Sequence, residues 1–98
     1  MNIQLFKFTT GEETVFEVVS SDNEDATITV KNGLTMVFDG SAIRAVPFTV
    51  NVDEGQEITI SQDDLIFITE PRKDLKDQYK QQFSKILTPD NTIITKAS

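Results

Sequence analysis

The sequence predicts a mainly β fold: a small, strongly bent antiparallel sheet or barrel closed by one C-terminal amphipathic helix. Runs rich in Val, Ile, Thr and Phe fill residues 1–70 and are separated at short intervals by Gly, Asn, Asp and Ser, a pattern typical of short strands and tight turns. From Pro71 onward the apolar spacing becomes helical. The chain has 98 residues, the length of one domain. We therefore predict a single domain with a β body at 1–70, a helix at about 71–87 and a tail at 88–98.

Extended runs are predicted from alternating side chains and from the turn residues between them. Residues 26–31 alternate apolar and polar side chains, as a half-buried strand requires. Asn32 and Gly33 can adopt positive φ and predict a kink or tight turn before the next run. Pro47 cannot donate a ladder hydrogen bond, so its run belongs at an edge or a bulge. The predicted extended runs are 3–9, 13–19, 26–31, 34–38, 42–52, 57–61 and 65–69.

The helix is predicted from a stripe of apolar residues at helical spacing. The stripe consists of Leu75, Tyr79, Phe83, Ile86 and Leu87, with charged and amide side chains on the opposite face. Thr69 or Glu70 can cap its first turn, where Pro71 is well tolerated because the missing N–H has no partner there. Pro89 predicts that the helix does not continue past residue 88.

Composition excludes most catalytic and metal chemistry. The chain contains neither cysteine nor histidine, which removes disulfides, Ser-His nucleophiles and nearly every zinc site. Its acidic pairs fall in predicted turns without the spacing of a calcium loop. We predict no catalytic residue, metal, cofactor or small-molecule substrate. There is no apolar run of about 20 residues and no secretory pattern at the first ten residues, so we predict no membrane association and a cytoplasmic location.

Charge is distributed unevenly along the chain. The net charge is -7, which disfavours a nucleic-acid partner. Residues 1–71 carry three basic against thirteen acidic residues, a charge of -10, whereas residues 72–98 carry six against three, a charge of +3. The seven phenylalanines have few basic neighbours, so we predict that they pack in a core or a subunit interface and do not stack on bases.

Two stretches of the chain resemble the Sm/LSm family, including a phage-encoded branch of it. Leu5–Val18 (LFKFTTGEETVFEV) is similar to the family's first motif, a hydrophobic strand, a turn glycine and a second strand. Ile58–Ile68 (ITISQDDLIFI) is similar to the second motif, in which a strand ends in a tight corner and resumes as a short apolar strand. The sequence departs from the family where Phe16 replaces a glycine and where Ser61 and Gln62 replace Arg-Gly.

The resemblance implies a five-stranded Sm-like sheet or barrel whose copies form a closed ring of about five to seven subunits. It also implies binding of single-stranded RNA or DNA, in the cytoplasm of a bacterial host if the chain is phage-encoded. The residues implied or suggested for nucleic-acid binding are Asn23, Ser61, Gln62, Asp63, Arg72, Lys73 and Lys76. The short apolar strand that would join neighbouring subunits is Leu65, Ile66, Phe67 and Ile68, because an unpaired edge of this kind favours association.

Two functions remain open from the sequence. The first is a non-enzymatic ring that binds or processes RNA or another nucleic acid. The second is a protein-protein scaffold or adaptor ring that does not bind nucleic acid, which the acidic body favours. The loss of the family's arginine removes a stacking plane and a phosphate partner, so a nucleic-acid site would have to be rebuilt from other side chains.

Overall fold

The computed structural model describes residues 1–49 and 51–84, which form an antiparallel sheet of six strands and one helix. The elements are β1 (Ile3–Phe8), β2 (Glu13–Asp22), β3 (Thr27–Phe38), β4 (Ile43–Pro47), β5 (Ile58–Ser61), a 3-10 turn (Gln62–Asp64), β6 (Leu65–Thr69) and α1 (Lys73–Ser84). The strand order is β4-β3-β2-β1-β6, and β5 pairs with β3. The mainly β prediction is confirmed, although the described strands number six and not five. Ile86, Leu87 and the predicted tail lie outside the described residues.

Strand β3 bends at its centre, at the position where the sequence predicted a kink or a tight turn. The strand runs through Asn32 and Gly33 without a break, and Asn32 has a positive φ of 56°. One edge of β3 pairs with β2; on the other edge its first half pairs with β5 and its second half with β4. The Asn32 side-chain oxygen accepts the Gly55 N–H at 2.7 Å, which ties the bend to the chain between β4 and β5. The predicted kink is therefore present, and it lies inside one strand, β3, at the point where its pairing changes from β5 to β4.

The predicted run at 42–52 is shorter in the structure. Its strand, β4, ends at Pro47, and the described residues that follow are outside any strand. Strand β4 lies at one end of the sheet, which confirms the edge position predicted from the proline. The hydrogen bond from Phe48 N–H to the Gly33 carbonyl, 2.9 Å long, ends this pairing.

One face of the sheet is packed with interlocking phenylalanines. Its buried residues are Phe6, Phe8, Phe16, Ile28, Val30 and Ile60, with Phe48 packed against them. The Phe16 ring meets Phe6 and Phe48 edge-on at centroid distances of 5.0 and 5.2 Å. A Cβ on Gly33 would lie 2.5 Å from Phe16 Cε1, so only glycine leaves room for that ring. Phe16 thus packs over Gly33 in the neighbouring strand.

Helix α1 covers part of the opposite face. Tyr79, with 1% of its surface exposed, packs with Ile3 and Val15, and half-buried Leu75 and Phe83 lie beside it. The Tyr79 hydroxyl donates to the Asn32 carbonyl at 2.7 Å, joining the helix to the bend in β3. Burial, followed by the charge of Glu17, raises the Tyr79 pKa well above its ordinary value. The stripe prediction is confirmed for the three helix residues that the structure describes.

The start of α1 differs from the prediction. The helix begins at Lys73, and the Arg72 carbonyl accepts the Lys76 N–H at 2.9 Å, so Pro71 precedes the first turn. Arg72 is the residue before the first turn, so neither Thr69, which ends β6, nor Glu70 occupies the cap position that was predicted for it. Pro71 is buried. In the part of the chain that the structure describes, no helix has the length and apolar character needed to cross a membrane.

Candidate functional site

The 3-10 turn between β5 and β6 brings together four of the residues that the sequence suggested for nucleic-acid binding. Ser61 Oγ accepts the Asp63 N–H at 3.2 Å and fixes the start of the turn. The Gln62 N–H donates to the Ala26 carbonyl at 2.8 Å, which holds the turn against the β2–β3 connection. Asn23 lies in that connection. We call residues 22–27 and 61–64 together the corner.

Asp22 and Asp64 fix the two ends of the corner. Asp22 Oδ1 accepts the N–H groups of Glu24 and Asp25 at 3.0 and 3.2 Å, which forms a closed polar turn. The Asp64 carbonyl accepts the Thr9 N–H at 2.9 Å, so the corner also contacts the β1–β2 connection. The bond between Gln62 and Ala26 therefore joins the two segments of the corner, and the bond from Thr9 ties the corner to the β1–β2 connection.

Electrostatics at the corner disfavour phosphate. Both of its segments lack basic residues, and they contain the acidic residues Asp22, Glu24, Asp25, Asp63 and Asp64. A nucleic-acid backbone would meet repulsion there. The side chains of Asn23, Ser61 and Gln62 can still offer hydrogen bonds to the edges of an unpaired base. The corner is therefore suited to polar recognition of a neutral group.

The basic residues predicted to assist lie elsewhere. Arg72, Lys73 and Lys76 follow β6, whereas the corner precedes it, and the five residues of β6 span roughly 15 Å. Each of these bases also has an acidic partner. Arg72 contacts Asp74 at 3.2 Å, Lys73 contacts Asp77 at 3.0 Å, and Lys76 contacts Glu70. The seven predicted residues therefore fall into two separate groups, four at the corner and three after β6. Each base of the second group is paired with a carboxylate.

The pairing of Lys76 with Glu70 has an electrostatic signature. The hydrogen bond and charge of Lys76 lower the Glu70 pKa below its ordinary value of 4.5. The Gln4 amide also donates to Glu70 at 3.4 Å. This ion pair links the end of β6 to the first turns of α1. The Lys76 ammonium is therefore used in a contact within the chain.

Strand β6 exposes apolar side chains at one end of the sheet. Ile66, Phe67 and Ile68 are 59%, 45% and 39% exposed, whereas Leu65 packs against the phenylalanine core. Among the described strands, β6 pairs only with β1. The pairing register slips between Lys7 and Phe8, which leaves Ile66 without an opposite residue. The predicted assembly strand is thus an open, apolar edge.

A second open edge, which the sequence did not suggest, lies at the other end of the sheet. Ile43 at the start of β4 is 67% exposed, and Phe38, its neighbour across the β3–β4 hairpin, is 70% exposed. The signal available in the sequence was Pro47, which marks an edge without saying what the edge exposes. Open apolar edges therefore end the sheet on both sides.

Comparison with known proteins adds no relative: neither a protein-family model nor a curated protein matches this sequence. Among the residues that the structure describes, no group of three or more acidic side chains is placed to hold a metal ion. The functional assignment therefore depends on the corner, the two open edges and the charges around them.

Proposed function

We propose that this protein is a non-enzymatic, Sm-like subunit that assembles edge to edge into a closed ring of about five to seven copies. The observation that carries the proposal is the exposure of Ile66, Phe67 and Ile68 on a strand with a free side. A monomeric protein normally protects such an edge, because it pairs readily with other strands. Pairing with another copy would cover the edge and bury its side chains.

The connection from β5 to β6 supports the Sm-like part of the proposal. Strand β5 pairs with β3, the chain turns through the 3-10 turn, and β6 then pairs with β1. This strand, corner and short apolar strand correspond to the second motif in the resemblance. The first motif corresponds to β1, the turn at Gly11 and β2.

The edge of β4 is the proposed partner of β6. Phe48 and Asp39 each donate a backbone hydrogen bond across the β3–β4 pair, at 2.9 and 3.1 Å. Because hydrogen bonding alternates along an antiparallel pair, Ile43 and Ala45 direct their N–H and carbonyl groups away from β3. Pro47 adds only a carbonyl, which limits the pairing to a short ladder. Two different edges of one chain give a head-to-tail contact, which is the kind that can close into a ring.

The assembly is tested by adding charge to the β6 edge. The double substitution Ile66→Lys and Ile68→Lys should convert the oligomer to monomer, because a paired edge does not tolerate two unpaired ammonium groups. Native mass spectrometry at micromolar concentration gives the copy number. Val19→Lys is the matched control, since Val19 is 42% exposed on β2 and lies away from both edges. A monomeric wild-type protein, or a double variant with the wild-type mass, would refute the ring.

A second candidate function is the binding of single-stranded RNA or DNA within that ring. The hydrogen bond between Gln62 and Ala26 favours it, because that bond joins the two segments in which the resemblance places base contacts. Asn23, Ser61 and Gln62 would bind base edges, and Arg72, Lys73 and Lys76 would attract phosphates. The acidic corner and the paired bases favour the alternative, a protein-protein scaffold without nucleic acid.

Binding of short oligonucleotides at low salt distinguishes the two roles. If the ring binds nucleic acid, affinity should fall as salt rises, and it should weaken with Gln62→Ala or with the pair Lys73→Gln and Lys76→Gln. Fluorescence anisotropy with labelled oligonucleotides measures both effects. An intact oligomer that shows no binding at low salt would assign the scaffold role.

A further inference from the structure

Strand β3 leaves an opening on one edge, at the point where its pairing changes from β5 to β4. On that edge the pairing with β5 ends at Val30 and the pairing with β4 begins at Leu34. Among the described strands, none pairs with this edge between those two residues. The Gly55 N–H donates to the Asn32 side-chain oxygen at 2.7 Å, which places the β4–β5 connection beside the opening. That connection therefore forms one side of a groove at the bend.

The groove at the bend has a volume of about 360 Å³, at the lower end of the roughly 300–1,000 Å³ of small-molecule sites. Two half-buried side chains of its lining, Phe48 and Ile58, pack against the phenylalanine core. Two others, Leu34 and Phe83, pack against the cluster around Tyr79 on the helix face. The groove therefore offers apolar surface from both faces of the sheet. Its lining comes from three segments distant in the chain, which is why the sequence did not indicate it.

The acidic residues of the groove lie on a fixed turn. The Gln56 N–H donates to the Asp53 carbonyl at 3.1 Å, and Gly55 has a positive φ of 86°. The bond from Gly55 to Asn32 holds this turn against β3. The turn, and with it the backbone of Asp53 and Glu54, is therefore in place before any ligand binds, which lowers the cost of ordering the site.

Charge in the groove is negative. Asp53 and Glu54 line it together with Lys31, so two carboxylates against one ammonium give the described lining a charge of -1. Within the part of the chain that the structure describes, neither carboxylate has an ion-pair partner. The whole chain carries -7, which attracts a cation and repels an anion. The charge of the groove therefore selects a positive ligand.

We propose that this groove binds a small organic cation, an amine with an aromatic or branched alkyl body. The body packs against Phe48 and Phe83, and the ammonium lies toward Asp53 and Glu54. Removal of the body from water favours binding of any ligand with this shape. The carboxylates favour only the positive one, so a neutral or anionic ligand with the same body lacks the second contribution.

The exposure of the carboxylates sets the strength of the site. A ligand with one ring and a short side chain gains little buried area in a groove of this size, so we expect a dissociation constant of about 1 mM. Both carboxylates are exposed, and an exposed ion pair contributes modestly. The amine should therefore bind about two- to fivefold more tightly than a neutral ligand of the same shape, and this preference should shrink as salt rises.

Three probes that share one phenyl ring test the selection by charge. Phenethylamine is the cation, phenethyl alcohol the neutral analogue and hydrocinnamate the anion. Each is titrated into the full chain at low salt, and backbone amide shifts are followed by NMR. The amides of Phe48 and Gly55 should shift with the amine, because both residues lie at the groove. The affinities should follow the order amine, alcohol, carboxylate.

Variants of the lining separate the two contributions. The pair Asp53→Asn and Glu54→Gln should lower the affinity for the amine to that for the alcohol and leave the alcohol unchanged. Glu57→Gln is the matched control, since Glu57 is an exposed acid of the same connection that lies outside the lining. Val52→Thr, in the lining, should weaken both ligands because it makes the wall polar. All four positions lie outside the strands and the helix, so circular dichroism should show the wild-type fold.

The outcomes are independent of the ring. A monomeric chain that binds the amine in the expected order would refute the ring and support this inference. Absence of shifts at Phe48 and Gly55 with about 20 mM amine would overturn it, since a site of the expected affinity would then be nearly filled. Equal affinity for the amine and the carboxylate, or an equal loss in the Glu57 control and the double variant, would also overturn it.

Discussion

The two faces of the sheet differ in how completely one chain covers them. The phenylalanine face contains Phe6 and Phe16 with no exposed surface, and its rings contact each other edge to face. The helix face depends on one helix, whose Tyr79 is buried while Phe38 at the far end of the same face is exposed. The first face is covered within the chain except at β6, where Ile68, opposite Phe6, is 39% exposed. The second is covered only near α1.

Buried and exposed apolar residues are expected to have different roles, the first in the stability of one copy and the second in the proposed assembly. Changes on the phenylalanine face remove contacts that exist in every copy, so they should lower the free energy of unfolding. Changes on β6 remove exposed surface and should alter the mass of the proposed assembly more than the stability of one copy. Buried Phe16 and exposed Phe67 are therefore expected to differ in role, although the amino-acid composition counts them alike.

The largest expected effect is on the phenylalanine face. Phe16→Ala should lower the free energy of unfolding by about 3–5 kcal/mol, because the ring is fully buried among three other phenylalanines. Phe83 on α1 is only half-buried, so Phe83→Ala should lower the free energy of unfolding by only about 1–2 kcal/mol. Urea unfolding at one protein concentration measures both values. Equal losses would contradict the difference between the two faces.

The next effect tests the close fit of Phe16 over Gly33. Gly33→Ala should cost about 1–3 kcal/mol, since the added Cβ would lie 2.5 Å from Phe16 Cε1 and 2.7 Å from Phe48 Cβ. In a Phe16→Ala background the cost should fall, because one of the two clashes is gone. A double-mutant cycle from urea unfolding gives the coupling. Strictly additive losses would show that the two residues do not constrain each other.

A smaller effect is expected where the helix meets the bend in β3. Tyr79→Phe should cost about 1–2 kcal/mol, because it leaves the Asn32 carbonyl without its 2.7 Å hydrogen bond. The folded-state pKa of Tyr79 is raised, so its protonated hydroxyl stabilises the fold fully below the ordinary pKa of 10.0. That stabilisation is lost as the pH rises from 10.0 toward the higher folded-state pKa. The variant should therefore lose less stability than wild type at alkaline pH. Unfolding curves at neutral and alkaline pH test this, and parallel losses would contradict it.

The smallest effect concerns the exposed pair of Glu70 and Lys76. Because the Glu70 pKa is lowered in the folded state, its contribution is present above the ordinary value of 4.5 and is lost as pH falls through the lower folded value. Glu70→Gln should lower the Tm slightly at neutral pH and make the Tm less sensitive to acid. Thermal melts across this range measure the change. A variant with the wild-type acid dependence would show that the pair contributes nothing to folding.

Local patterns predicted the parts of the fold that depend on neighbours in the chain. Alternation located the first half of β3, Pro47 placed β4 at an edge, and helical spacing identified Leu75, Tyr79 and Phe83. The division of β3 between β4 and β5 was not predicted, because it depends on pairing with distant strands and coincides with the contact of Asn32 with Gly55, 23 residues away. The pairing of Lys76 with Glu70 was not predicted for the same reason, because it depends on the direction in which the chain passes from β6 into α1.

Composition and side-chain period suffice to predict an acidic chain of short strands followed by an amphipathic helix, because both are properties of neighbouring residues. The contact of Gln62 with Ala26 and the pairing of Arg72, Lys73 and Lys76 with acidic residues became visible only in the folded chain. The tertiary structure also decided that Phe16 is buried while Phe38 is exposed. These outcomes depend on pairing between distant strands, and that pairing is set by the packing of the whole sheet.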